Sequence, residues 1–195
     1  MSAPKPSAPH PPSPPSPWVE RFAHLVRAGG PVLDLACGGG RHLRLFHRRG
    51  HPVVGLDRDL SGVADLEGGA GITLIRADLE SGDPSRESGG SPGSLPPDSR
   101  FAGIVVTNYL HRPLFPALLA ALEPGGVLIY ETFADGNARF GRPSSPGFLL
   151  RRGELLEAVH GRLQVVAFEQ GEVSAPKPAV VQRICAVAGD DPLPL

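Results

Sequence analysis

The sequence predicts an α/β fold with a doubly wound, mostly parallel sheet, and three observations carry that expectation. Short apolar runs alternate with segments of helical spacing along most of the chain. One run, residues 32–36, leads into Gly38-Gly39-Gly40 and then a helical pattern, the shape of a strand, a tight turn and a helix N-terminus. The first four runs end at Asp34, Asp57, Asp78 and Asn108, the positions where ligands gather in such sheets. Repeated β-α-β order requires right-handed crossovers and helices on both faces.

The elements follow in order. Residues 1–17 are rich in Pro, Ser and Ala and read as a disordered, polyproline-like arm. Trp18, Phe22, Leu25 and Val26 are spaced for a helix over 18–28, ended by Gly29-Gly30 and packed beside the first strand. Strand 32–36 is followed by helix 41–49, strand 53–57, a short helix over 61–66 and strand 72–77. Residues 80–100 carry Gly, Ser, Pro and Asp without apolar periodicity, so a flexible surface insertion stands where a helix is expected. Strand 101–107, a helix over 113–122, strand 127–133 and a helix over 154–160 come next. Strands 163–169 and 180–187, joined by a turn over 171–178, finish the fold. One domain, 18–190, contains all of these.

Composition sets the bounds. The chain has 195 residues, 41% hydrophobic and 20% charged, enough for one full core and too few for two. A net charge of −1 gives no general pull toward nucleic acid or anionic membranes. Cys37 and Cys185 sit in no metal-ligand or Cys-x-x-Cys spacing, which suits two thiols in a reducing, cytoplasmic setting with no metal site. No apolar run approaches the ~18 residues of a membrane span.

The strand-end residues each have a physical use. Gly38 and Gly40 let the backbone turn tightly and approach a ligand. Asp57, seventeen residues after Gly40, is placed to accept from ribose hydroxyls, with Arg58 beside it. Asp78 is placed to accept from an exocyclic adenine amine, with the Leu79 backbone at the ring edge. Asn108 faces the reacting end. Asp34 separates two cofactors: a carboxylate repels the pyrophosphate of a dinucleotide and attracts a ligand end bearing ammonium and sulfonium groups. The sequence also runs Gly40-Arg41-His42-Leu43, so Gly-x-Gly-x-x-Gly is left incomplete. Each acid alone has a plain alternative as a helix cap or turn residue.

The run from Val32 to Gly40, Asp57, Arg76-Ala77-Asp78-Leu79, Asn108 and Leu122-Glu123-Pro124-Gly125-Gly126 together resemble the motifs of class I S-adenosylmethionine-dependent methyltransferases. The likeness is greatest to small bacterial enzymes of the tellurite-resistance and quinone-biosynthesis type, and it spans nearly the whole chain after Pro17. It implies a Rossmann-like sheet of seven strands in the order 3-2-1-4-5-7-6, the last antiparallel. It also implies S-adenosyl-L-methionine as cofactor, with Asp34, Gly38 and Gly40 at the methionine part, Asp57 at the ribose, and Asp78 and Leu79 at the adenine. Ala36 stands where the family has its central motif glycine. Asn108-Tyr109-Leu110-His111 replaces the Asn-Pro-Pro-Tyr of amino-group methylators of DNA and protein.

Function follows as an expectation: in-line methyl transfer to an acceptor. Near-neutral charge and the short chain favour a small molecule, with nucleic acid and protein acceptors as alternatives. His111 and Tyr109 are the candidate proton acceptors. Arg139 and Arg142, interleaved with Phe140, are candidate substrate residues, and the basic helix face with Arg41 and Arg44 reads as solvent-exposed. A non-catalytic cofactor-binding module and an NAD(P)-binding domain are the competing readings, Asp34 weighing against the second. Oligomeric state is not written in the sequence.

Overall fold

The computed structural model describes residues 13–80, 95 and 99–189. Seven strands form one sheet in the order β3-β2-β1-β4-β5-β7-β6. β1 (Val32–Leu35), β2 (Val53–Asp57), β3 (Ile72–Arg76), β4 (Phe101–Thr107) and β5 (Leu122–Phe133) pair in parallel. β7 (Ala179–Val187) runs antiparallel to both β5 and β6 (Gln164–Val173). The expected order and antiparallel last strand are both present.

Burial explains the strand pattern. Every residue of β1 and β4 is buried, because central parallel strands are covered on both faces. Alternation along β1 sends Leu33 and Leu35 into one core layer and Val32 into the other. The first layer packs under α3 (Phe115–Ala120) and α4 (Glu154–Val159); the second packs under α1 (Pro17–Phe22) and α2 (Arg41–Arg48). Gly55 in β2 makes room for α2: a Cβ there would lie 2.6 Å from a methyl of Leu43 and 3.2 Å from Cys37 Sγ.

Several boundaries move, each for a local reason. The arm gives way to structure before Pro17, since Ser16 caps α1 by accepting from Trp18 N–H at 3.1 Å and Pro17 takes the first helical position. The leading helix is only one and a half turns long before a 3-10 turn at Ala23–Leu25. It spans more than β1, because Trp18 Nε1–H donates to Ile184 O of β7. The helix expected at 113–122 shortens to a 3-10 turn, Arg112–Leu114, and α3. β5 then starts at Leu122, where Pro124-Gly125-Gly126 forms an irregularity inside the strand instead of a break before it. Residues 1–12 of the expected arm, and 81–94 and 96–98 of the expected insertion, lie outside the described residues; Leu95 between them is buried in the core. Among the described residues no helix is long and apolar enough to cross a membrane.

The long connection from β5 to α4 is irregular yet pinned. Arg112 Nε and Nη2 donate to the two oxygens of Glu154 at 2.6 and 2.9 Å, and Nη1 and Nη2 donate to the carbonyls of Gly147 and Leu149. Asn137 donates to Pro143 O and accepts from Val180 N–H. Gln182, fully buried in β7, accepts from Leu155 N–H and donates to Arg151 O. Burial would raise the Glu154 carboxyl, but the bonds from Arg112 and the Arg151 amide outweigh it and hold the group below its usual range.

That balance gives a pH-signed expectation. Arg112→Ala leaves the buried carboxylate with only its Arg151 contacts and should lower stability at pH 7 by about 2–3 kcal/mol, discounted for the partial exposure of Arg112. Because the folded-state value of Glu154 is depressed, its stabilisation is present above the unfolded-state value and fades as pH falls through the folded one. Urea denaturation should therefore show the wild-type advantage shrinking below about pH 4.

Candidate functional site

Sheet order reverses between β1 and β4: the chain moves outward through β2 and β3 on one side and through β5 on the other. The crevice beyond their carboxyl ends is where this architecture binds ligands. Backbone strain is concentrated at that point. Among the described residues Ala36 and Asn108 are the only non-glycines with positive φ, 55° and 56°, and they follow β1 and β4 directly. The left-handed conformation costs a non-glycine on the order of 1–2 kcal/mol, so two adjacent instances mark a mouth held in a fixed shape.

The glycine turn lies between them. Gly38 and Gly40 have φ of 49° and 70°, and a Cβ on Gly38 or Gly39 would meet nothing within 4 Å. The outer side of the turn is open. Gly40 faces inward, where a Cβ would lie 2.5 Å from Val63. Asp57 holds the turn from β2: Oδ2 accepts from Gly38 N–H at 2.8 Å and Oδ1 from Asp59 N–H at 3.0 Å.

Asp34 differs from the expectation. It is the third residue of β1, not the last, and alternation turns its side chain inward under α2. Only 2% of it is exposed. Oδ2 accepts from Leu43 N–H at 3.2 Å, and Oδ1 lies 3.8 Å from His42 Nδ1. The carboxylate caps the first turn of α2 from below, so its charge acts through the glycine turn and not on its open face.

The remaining acids reach the rim. Asp78 is exposed, and its Oδ1 accepts from Glu80 N–H at 3.0 Å; Leu79 buries its side chain in the core. Arg58 is exposed beside Asp57. Asn108 is exposed, its N–H donating to Glu131 O. Tyr109 is half-buried, and the buried Tyr130 hydroxyl donates to its carbonyl at 2.8 Å. Burial first, then the adjacent Glu80 carboxylate and more distantly Asp78 and Asp57, push the Tyr109 phenol well above its usual range. It is a hydrogen-bond donor at neutral pH. His111 is half-buried, and its carbonyl opens the turn before α3.

Other expected residues have prior commitments. Arg139 pairs with Glu172 and lies over the Phe140 ring, whereas Arg142 is exposed. Arg44 forms a two-point pair with Asp65, and Arg41 is half-buried with Nη2 at 3.4 Å from Thr107 Oγ1, so the basic helix face is only partly solvated. Cys37 is buried, and desolvation with the charges of Asp34 and Asp57 pushes its thiol up to about 12, which makes it an inert packing group at neutral pH. Sequence reasoning passed over Ser16, His42, Arg112 and Glu154. Only Ser16-Pro17 carried a local signal, that of a helix start.

No protein-family model and no curated protein sequence matches the chain. Solved structures do. TehB from Haemophilus influenzae superposes with a TM-score of 0.65 at 17% identity, over 88% of this chain and 61% of that one. An S-adenosylmethionine-dependent methyltransferase from Mesorhizobium loti gives 0.62 at 21% identity, over 86% and 96% of the two chains. The Burkholderia thailandensis 1,6-didemethyltoxoflavin-N1-methyltransferase, solved with 1,6-didemethyltoxoflavin and S-adenosylhomocysteine, gives 0.61 at 21% identity, over 89% and 76%. This chain therefore has the seven-stranded fold of those methyltransferases, and it spans about three fifths of the length of the TehB structure.

The two faces of the glycine turn predict different outcomes for one substitution. Gly38→Ala should cost about 1–2 kcal/mol, the left-handed penalty alone. Gly40→Ala carries the same penalty plus overlap with Val63, on the order of 1–3 kcal/mol more. Equal losses in urea denaturation would show that the turn is not packed against Val63.

Proposed function

We propose that the protein is an S-adenosylmethionine-dependent methyltransferase acting on a small-molecule acceptor. The observation that carries this is the open cradle over Gly38 and Gly39, where the Asp57 carboxylate already takes the Gly38 N–H that a pyrophosphate would need. The donor set fits the group. Asp57 and Asp78 accept hydrogen bonds and would take ribose hydroxyls and an adenine amine. The Arg41 guanidinium, whose contacts to Thr107 Oγ1 and Pro14 O are long at 3.4 and 3.5 Å, would take a carboxylate. The buried charge of Asp34 favours a cationic ligand end on the turn above it.

Bound S-adenosylmethionine would supply a methyl group already activated by its sulfonium. The chain's contribution is alignment and exclusion of water, worth on the order of 7–11 kcal/mol when the approach is in line. Asn108, fixed in its left-handed conformation, lines the reacting end. His111 is the side chain we assign to receive a proton from an acceptor that must lose one. Tyr109, facing Glu80, serves as a donor at the rim in preference to a base. The wall beyond β5, with Phe140, Arg142 and Phe148 exposed on a connection pinned by Arg112 and Asn137, would receive the acceptor. A structural neighbour solved with bound 1,6-didemethyltoxoflavin supports that class.

Calorimetric titration of S-adenosylmethionine into the full chain tests the reading. Wild type should bind it and should ignore NADH. Asp57→Ala, losing charge-assisted hydrogen bonds of about 1.5–3 kcal/mol, should weaken binding about tenfold to a hundredfold. Gly38→Ala, with its methyl in the cradle, should weaken it at least as much despite its small stability cost. Failure of wild type to bind, or an unchanged affinity in Asp57→Ala, refutes the proposal.

A further inference from the structure

Behind the glycine turn is a buried polar cluster, of which the function proposed above uses Asp34 alone. His42, in the first turn of α2, is 1% exposed; Asp34 and Ser16 on either side of it are 2% and 4% exposed. Ser16 N–H points at His42 Nε2 across 3.1 Å. A backbone amide is a donor in every protonation state, so Nε2 must present its lone pair. The ring is therefore neutral with its proton on Nδ1, and Asp34 Oδ1 stands 3.8 Å from that nitrogen, outside hydrogen-bond distance.

The same contact places the end of the N-terminal arm. Ser16 Oγ donates to Glu131 Oε1 at 2.8 Å while accepting from Trp18 N–H. Pro14 O lies 3.5 Å from Arg41 Nη1, and the other arm of that guanidinium reaches Thr107, the last residue of β4. Residues 14–16 thus cross the carboxyl ends of β4 and β5 beside the glycine turn. Ser16 is also the N-cap of α1, its carbonyl accepting from Glu20 N–H at 3.0 Å, but Pro14 and Pro15 have no ladder or helix to hold them, so the path of the chain before Ser16 depends on side-chain contacts.

We propose that His42 is a positioning residue that latches residues 14–16 over the mouth: neutral, it accepts from Ser16 and keeps this wall closed; protonated, it releases the arm. The role of the wall in holding cofactor rests on the function proposed above. The sign follows from the lone pair. Protonation of Nε2 sets one N–H against another, so release takes up a proton and anchoring weakens as pH falls. The groups facing the ring come from several elements. Asp34 of β1 and, through Ser16, Glu131 of β5 bring negative charge; Arg41 on α2 brings positive charge, and Arg183 of β7 donates to Glu131 Oε2 at 3.1 Å. None of them replaces the lost acceptor for Ser16.

Amide exchange of the full chain, corrected for intrinsic rates, tests the latch. Protection of the Ser16 amide should fall at least about tenfold between pH 8 and pH 5.5, since release takes up one proton and a one-proton equilibrium changes by up to about tenfold per pH unit. His42→Gln, which keeps an acceptor and cannot titrate, should stay protected at both values, and His42→Lys, a donor only, should be unprotected at both. Unchanged Ser16 protection in wild type, or protection in His42→Lys, overturns the latch. If His42→Lys does not fold, two-bond proton–nitrogen correlation of the wild-type ring at pH 8 decides: the Nδ1–H tautomer supports the latch and the Nε2–H tautomer overturns it. S-adenosylmethionine affinity should fall at least about fivefold over the same pH interval in wild type and stay level in His42→Gln. An equal fall in both proteins overturns the wall's role. No binding by wild type at pH 8 overturns the cofactor proposal alone, and the exchange result still judges the latch.

Discussion

The bond from Gly38 N–H to the Asp57 carboxylate ties the turn after β1 to the end of β2. Much of the site depends on it. It fixes a left-handed glycine whose outer face is open, and it holds the same carboxylate at the edge of the turn. Asp34 works on the other side of the turn, capping α2 at Leu43 N–H. Two carboxylates thus hold one loop from opposite directions, and the helix N-terminus that results is positioned without a side-chain cap of its own.

A second set of polar groups does comparable work on the far side of the mouth. The connection from β5 to α4 has no long element, yet Arg112, Asn137, Glu154 and Gln182 give its backbone the partners that a helix or ladder would otherwise supply. Buried ion pairs are weak evidence of net stability. Here their consequence is geometric: the exposed rings of Phe140 and Phe148 are carried on a fixed frame.

Local pattern was enough for most of the fold. Short apolar runs and glycine turns located β2 and β4 to the residue, and the strand-end residues pointed to the mouth. What local pattern missed was direction and distant pairing. Asp34 read as a strand-end acid because Ala36 looks like strand, but Ala36 turns left-handed and alternation sends Asp34 inward. Pro124-Gly125-Gly126 read as a break because its pairing partner, β4, is remote in sequence. His42 and Glu154 sit among charged neighbours on helices and gave no sign of burial. Their partners Ser16 and Arg112 lie 26 and 42 positions away.

Gly55 adds a constraint on how this sequence can drift. The absent side chain sets the height of α2 above the sheet, since Leu43 and Cys37 fill the space a methyl would take. Leu43 is also the residue whose amide Asp34 caps. Any larger residue at position 55 presses on Leu43 and so on that cap, unless position 43 shrinks and Leu74 and Cys37, 3.1 and 3.2 Å from the same point, give way with it. The depth of the crevice is therefore inherited as a correlated set of four residues, Gly55, Leu43, Leu74 and Cys37, none of which needs to touch a ligand.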